Sequence, residues 1–236
     1  MENWKADQLQ ELMLIKDEQL LYQNALGLIV HLGFDYCSFG IRTQLSMPRP
    51  RLIMHSNYPD QWQAEYQAQH YLDIDPSVKR CHCSVLPVLW SDELFADTPE
   101  FWEHARSYGL RQGWAQSTHD SRGVESMLTL ARSHEVISSV EYFEKAAQIL
   151  WLCNLLHALM AERLLSEVTP VQRAPLSNRE TEVLKWSAEG KTAEDIGTIL
   201  NLKERTINFH IGNAIRKTGA TNKTSAVVQA ILSGAL

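Results

Sequence analysis

The 236-residue sequence contains no run approaching the roughly 18 consecutive apolar residues of a membrane-spanning helix, so no helical membrane span is expected. Its opening, MENWKADQLQE, is polar and acidic and lacks the apolar stretch of a secretory signal, which predicts a cytoplasmic protein. There are only four cysteines, Cys37, Cys81, Cys83 and Cys153, and no C-x-x-C pair. In such a compartment they are read as reduced thiols rather than a disulfide framework or a zinc ribbon. Cys81, His82 and Cys83 offer two thiols and an imidazole, with His70 nearby, but consecutive residues on a helix diverge and cannot converge on one ion. No Cys–His pairing with a nucleophile signature is present, and the chain is read as neither an enzyme nor a metal or cofactor protein. Internal repeats and low-complexity tracts are absent as well.

What is present is 44% hydrophobic residues, enough to bury a core, and an uneven distribution of charge. Residues 176–236 carry eight Lys or Arg against six Asp or Glu, a net +2. Residues 1–175 carry 14 against 22, a net −8. A mildly basic tail on an acidic body fits a small nucleic-acid module behind a different kind of domain. The boundary is SEVTPVQRAP, 166–175, with two prolines and no apolar periodicity. The expected domains are therefore 1–165 and 176–236, with 166–175 as linker.

The first domain reads as mixed. ADQLQELMLIKDEQLLYQNALGLIVHLG gives two helices that stop at Gly33. DYCSFGIRTQ, RLIMHS and SMLTLARS read as short strands, and DTPEFWEHARSYGL as a helix ending at Gly109. Before the linker, Val140, Phe143, Ala147, Leu150, Trp151, Leu155 and Leu159 recur at helical spacing. That stripe suits a core helix or, over part of its length, a contact with a second copy of the chain. The fold class is α+β, with an α/β/α sandwich in front of an all-α tail.

The tail reads as four short helices. Ser177 with Glu180 and Thr192 with Asp195 form two capping boxes, and Gly190, Gly219 and Gly234 stop helices. The second and third helices are joined by a tight turn at NLKE, a helix-turn-helix arrangement whose third helix would enter a major groove. Ile207, Ile211, Ala214 and Ile215 make its apolar face, while Arg205, Asn208, Gly212 and Arg216 fall elsewhere. Asn can pair with adenine and Arg with guanine. Lys191, Lys203, Lys217 and Lys223 suit phosphates, and Asn222 begins a helix whose free N–H groups favour phosphate too.

The string LSNRETEVLKWSAEGKTAEDIGTILNLKERTINFHIGNAIRKTGATNKTSAV closely resembles the helix-turn-helix of LuxR-type transcription regulators. Matching positions include Glu180, Lys191, Thr192, Ile196, Thr206, His210, Asn213, Lys217, Asn222 and Lys223. The resemblance implies double-stranded DNA as partner, read through Lys191, Thr192, Lys203, Arg205, Thr206, Asn208, His210, Gly212, Asn213, Lys217, Asn222 and Lys223. It departs at Lys203, where relatives often carry serine, which leaves the recognition helix without a side-chain cap, a cost of about 1 kcal/mol. Nothing near the N-terminus resembles the acidic pair of a response-regulator front domain.

SNYPDQWQAEYQAQHYLDIDP, 56–76, places Tyr58, Trp62 and Tyr66 four residues apart and Asp75 before Pro76. A helical aromatic stripe suits a core face as well as a pocket wall, and Asp-Pro suits a helix cap. Buried Tyr and Trp need partners for O–H and N–H, and a buried Asp needs them more. With LGFDYCSFGIR, Trp90, WEHARSYGLRQGWAQS and MLTLARS, the stretch resembles the autoinducer-binding domain of quorum-sensing LuxR-type receptors over roughly 20–165. That family binds N-acyl homoserine lactones. The resemblance implies that Trp62 donates to the lactone carbonyl, Tyr58 to the amide carbonyl, and that Asp75 accepts the amide N–H. Thr129 would be a further polar partner, and Tyr66 and Trp90 would wall the site. Ser38, Phe101, Trp102 and Ile53 would also face it, with Gly113 a close-packing position. It implies further a homodimer on a palindromic promoter site, with RNA polymerase as a further partner. The alternative is an orphan LuxR-type regulator that binds DNA without a ligand or with a non-lactone one.

Overall fold

Strand β1 (Tyr36–Thr43) alternates without a break: Cys37, Phe39, Ile41 and Thr43 are buried, while Ser38, Gly40 and Arg42 turn to the opposite face. It lies second in a five-stranded antiparallel sheet completed by β2 (Leu52–Ser56), β3 (Val88–Leu89), β4 (Gln112–His119) and β5 (Val124–Arg132), in the order β2-β1-β5-β4-β3. The computed structural model describes residues 6–43, 52–168 and 174–236.

Each face of the sheet is covered by helices. Against Phe39, Ile41, Leu128 and Leu130 pack α1 (Ala6–Leu14), α2 (Glu18–His31) and α6 (Ser139–Val168), forming the main core. On the other face lie α3 (Asp60–Ala68), α4 (Pro76–Cys83) and α5 (Pro99–Ser107), with a smaller, strongly aromatic cluster around Trp62, Phe95 and Phe101. This is the α/β/α layering expected of the front domain. Among the described residues, no helix is long and apolar enough to cross a membrane, and no group of three His, Cys, Asp or Glu could hold a metal ion.

Several elements differ from the sequence reading. Tyr58 does not belong to a helical stripe, because α3 starts at Asp60 with Pro59 as its cap residue. The residue before a proline is driven out of helical geometry, so Tyr58 precedes the helix on which Trp62 and Tyr66 sit. Strand β3 is only two residues long and carries no periodic signal of its own. Helix α6 continues through Val168, three residues into the expected linker, where nothing breaks a helix until Pro170 comes near. The remaining linker positions 169–173 fall outside the described residues. The core stripe of α6 is Ile149, Leu152, Cys153, Leu156, Met160 and Leu164. Val140 and Phe143, read as one candidate core stripe, are 68% and 77% exposed instead.

One partly buried ion cluster ties α6 to the sheet and to the end of α2. Arg132, 4% exposed, donates to Glu141 Oε1 and Oε2 at 2.8 and 2.7 Å and to the Glu135 carbonyl at 2.8 Å. Lys145 donates to Glu141 and to the Leu32 carbonyl, both at 2.6 Å.

The second unit, Asp120–Gly123 with Ser166–Leu236, holds α7 (Asn178–Ala188), α8 (Ala193–Leu200), α9 (Glu204–Thr218) and α10 (Lys223–Leu232). Both expected capping boxes form, at Ser177/Glu180 and Thr192/Asp195, and Lys203 leaves α9 without a side-chain cap. Val183, Ile196, Ile207 and Ile211 make one small core, and Leu184, Ala214, Ala226 and Ala230 another.

Burial by itself would raise the Glu141 carboxyl. The bonds from Arg132 and Lys145 outweigh it and hold the group down at about 2, against an ordinary 4.5. A carboxyl depressed in the folded state stabilises fully above its unfolded pKa, and that contribution is lost as pH falls through the folded one. Urea unfolding is therefore expected to show stability declining between about pH 4.5 and pH 2. Glu141→Gln should lower stability at neutral pH and flatten that decline.

Candidate functional site

The face of the sheet turned away from the main core borders a cavity of about 330 Å³. Of the ten front-domain residues expected from the sequence to face it, nine line it: Ser38, Tyr58, Trp62, Tyr66, Asp75, Trp90, Phe101, Trp102 and Thr129. Ile53 does not. It pairs with Ile41 and packs into the core on the other face, because strand alternation sends Met54 to the cavity and Ile53 away from it.

The sheet supplies its floor in rows. Ser38 pairs with Ser56 on one side and Thr129 on the other, so three hydroxyl side chains lie abreast. The roof is aromatic. Trp62 sits 5.7 Å from Phe101, 5.8 Å from Tyr66 and 5.7 Å from Tyr71, ring centroid to ring centroid. Trp90 stands edge-on to Phe95 and Trp102 at 6.0 Å each. Trp102 directs its indole N–H to Asp92 at 2.7 Å, so only its ring serves the wall.

Asp75 is 7% exposed and its two oxygens have separate tasks. Oδ1 accepts from Ser77 N at 2.8 Å and Ser77 Oγ at 2.7 Å, capping α4. Oδ2 accepts from the Tyr66 hydroxyl at 3.0 Å. Tyr66 thus positions the carboxylate as well as walling the cavity. Burial raises the Asp75 carboxyl, and the bonds from Ser77 and Tyr66 only partly draw it back.

Two fully buried polar atoms of the cavity wall stand without a partner among the described residues: the Tyr58 hydroxyl and the Trp90 indole N–H. An unpaired buried hydroxyl or N–H costs about 1–3 kcal/mol. Burial lifts the Tyr58 hydroxyl well above the ordinary tyrosine range, so it is a donor at any working pH. A donor from Tyr58 and an acceptor in the Asp75 carboxylate, facing apolar rings, suit a small amphipathic molecule that carries both an acceptor and a donor.

In the second unit, α8 and α9 are joined through Asn201, Leu202 and Lys203, with Asn201 in the left-handed region at φ 52°. Gly197 makes the turn possible. A Cβ there would stand 2.7 Å from the Leu202 carbonyl oxygen, a close approach that no local sequence pattern marks. Arg205, Asn208, Gly212 and Arg216 are exposed on α9, and nothing lies within 4 Å of a Cβ built on Gly212. Thr206, His210 and Asn213 are half-buried, and Asn213 accepts from Arg216 at 2.9 Å. Lys191, Thr192, Lys203 and Asn222 are exposed, and the half-buried Lys223 reaches the Lys191 carbonyl at 3.3 Å. Lys217, read as a phosphate contact, has a partner within the unit. It donates to Glu180 Oε2 at 2.7 Å, and Glu180 is 5% exposed, so the pair locks α9 to α7. Phe209 is 64% exposed on α9, outside the Ile207–Ile211 stripe that marks the apolar face.

Residues 18–160 match the family description "Autoinducer binding domain", and 174–230 match "Bacterial regulatory proteins, luxR family". The chain is 40% identical over 239 residues to the transcriptional activator protein AnoR of Acinetobacter nosocomialis, covering 100% of both. Among solved structures, Escherichia coli SdiA superposes with a TM-score of 0.73 at 30% identity, covering 97% of this chain and 95% of that one. An N-acylhomoserine lactone-dependent LuxR-family factor, CepR2 of Burkholderia cenocepacia, does so with a TM-score of 0.61 at 28% identity, over 67% of this chain and 93% of that one.

Gly113 gives a test of the wall. A Cβ there would fall 2.0 Å from Trp90 Cδ2, on rigid ring atoms rather than a flexible tip. Gly113→Ala is expected to cost about 1–3 kcal/mol in denaturant unfolding through overpacking. Unchanged stability would mean that Trp90 swings aside freely.

Proposed function

The chain belongs to the LuxR family of bacterial transcription regulators, with an autoinducer-binding domain ahead of its helix-turn-helix, and on that premise we propose that its signal is an N-acyl homoserine lactone. The observation that carries this reading is the unpartnered Tyr58 hydroxyl beside the divided Asp75 carboxylate. A lactone's amide offers a carbonyl to Tyr58 and an N–H to Asp75 Oδ2. Trp62 donates to the ring carbonyl, Thr129 and Ser38 present hydroxyls, and the acyl tail lies along the apolar part of the cavity. Tyr66, Trp90, Phe101 and Trp102 exclude water from the head group, which strengthens each of these bonds.

Two chains act together in this reading. The exposed stripe Val140, Phe143, Leu150 and Trp151 on α6 supplies apolar surface for a second copy. Paired tails then read a palindromic promoter site as a two-fold unit. Asn208 and Arg205 face base edges; Lys191, Lys203 and Lys223 hold phosphates. Ligand binding stabilises the folded front domain by mass action and so raises the amount of binding-competent dimer. A second reading, a non-lactone signal, draws support from a solved structure of SdiA in complex with octanoyl-rac-glycerol, which superposes with a TM-score of 0.71 at 30% identity.

Melting of the purified protein with a panel of acyl homoserine lactones and monoacylglycerols separates the two. A rise with lactones is expected. A rise with monoacylglycerols alone would reverse the assignment. Tyr58→Phe sharpens the test. Its loss should leave the ligand-free protein as stable or more so, because the hydroxyl has no protein partner. Lactone affinity should fall about tenfold, or ~1.4 kcal/mol. On DNA, Asn208→Ala should weaken the cognate site by about 1–3 kcal/mol and leave random duplex nearly unchanged. Equal losses on both would remove Asn208 from the base-reading set.

A further inference from the structure

The cavity floor changes character along β1 and β5, and the change is fixed by register. Ser38 opposite Thr129 begins it with hydroxyls. Two residues on, Gly40 lies opposite Met127 and Met54, an apolar row without a side chain at its centre. A Cβ at Gly40 would meet only Leu52 Cδ1, at 4.0 Å, so the space above this row is open. After two further residues Arg42 lies opposite Glu125, and the floor becomes charged.

That last row is braced from a third element. Arg42 Nε and Nη2 donate to Glu125 Oε2 at 3.0 and 2.9 Å. His82 of α4 places Nδ1 2.9 Å from the same oxygen and 2.8 Å from Arg42 Nη2. The Glu125 side chain is 7% exposed, so Arg42 cannot swing away without uncovering a buried carboxylate. Arg42 keeps 34% of its side chain in contact with solvent. Methylenes laid over it would remove that water and return no hydrogen bond. At 3.3–3.4 Å per residue, the charged row stands about 13 Å beyond the hydroxyl row.

We propose that the Arg42–Glu125 pair, braced by His82, is the end-stop of the tail channel and sets the longest apolar tail that the cavity accepts. The inference rests on the lactone reading above and adds the residues that select among tails. Ligands whose tails end within the Gly40–Met127 row fill apolar space; longer ones collide with a charge pair that neither moves nor dehydrates cheaply.

The test compares the full chain with the double variant R42M/E125L, which replaces the pair by apolar side chains and leaves neither charge unpaired. Both are melted with a graded series of straight-chain N-acyl homoserine lactones. The wild-type gain in melting temperature is expected to rise with tail length, pass a maximum and fall. In the variant the maximum should move to tails longer by about two carbons or more. Lactone responses with the same maximum in both proteins overturn the end-stop and leave the lactone reading standing. No response of the wild type to any lactone overturns both. Should the variant not fold, the wild-type series decides alone: a gain that climbs steadily through the longest soluble tail overturns the proposal.

Discussion

The period-two alternation of β1 and β5 is the constraint on which the front domain depends. One set of side chains, with Phe39, Ile41, Leu128 and Leu130, closes the main core under α1, α2 and α6. The interleaved set, Ser38, Gly40, Arg42, Met127 and Thr129, floors the cavity under α3, α4 and α5. A slip of one residue would exchange the sets, putting charge into the core and large apolar groups into the ligand space. Stability and chemistry are therefore written on alternate residues of the same strands. The mostly apolar face anchors the sheet, which lets the other face remain under-filled.

Asp75 carries the second economy. A buried carboxylate is tolerable only with partners, and this one obtains them from the helix it starts, through Ser77, and from the aromatic wall, through Tyr66. Those bonds aim its second oxygen and still leave that oxygen accepting capacity. Tyr58 is the complementary case, a buried hydroxyl left unmatched by the protein. A site made of one over-supported acceptor and one unsupported donor is poised for a ligand that bears the opposite pair. The local shortfall in bonding is offset by the surrounding aromatic packing.

In the tail, cations divide into two groups that composition cannot distinguish. Lys217 is bound to Glu180, where burial would raise the carboxyl and the bond from Lys217 helps to hold it down, so that lysine joins helices. Lys203 and Lys191 stand in solvent and remain available for phosphate. Gly197, tight against Leu202, fixes the turn that leads into α9, so the placement of that helix depends on a residue outside it.

Much of this was legible in the sequence wherever the signal was local. The capping boxes at Ser177 and Thr192, the glycine stops and the bare Lys203 cap could be named from spacing, because such chemistry acts within a few residues of itself, while the nine cavity residues, from Ser38 to Thr129, could be named only through the family resemblance. Other features depended on what lies far along the chain. Partners across the sheet sent Ile53 to the core and brought Arg42 to Glu125. The buried stripe of α6 was chosen by the sheet it covers, which turned Val140 and Phe143 outward. Only folding could decide that Asp75 divides its oxygens between a cap and a tyrosine, since a hydrogen bond is set by distances between atoms that sequence order does not fix. The residue types were determined by the sequence; which of them meet, and which donor is left without a partner, was decided by tertiary packing.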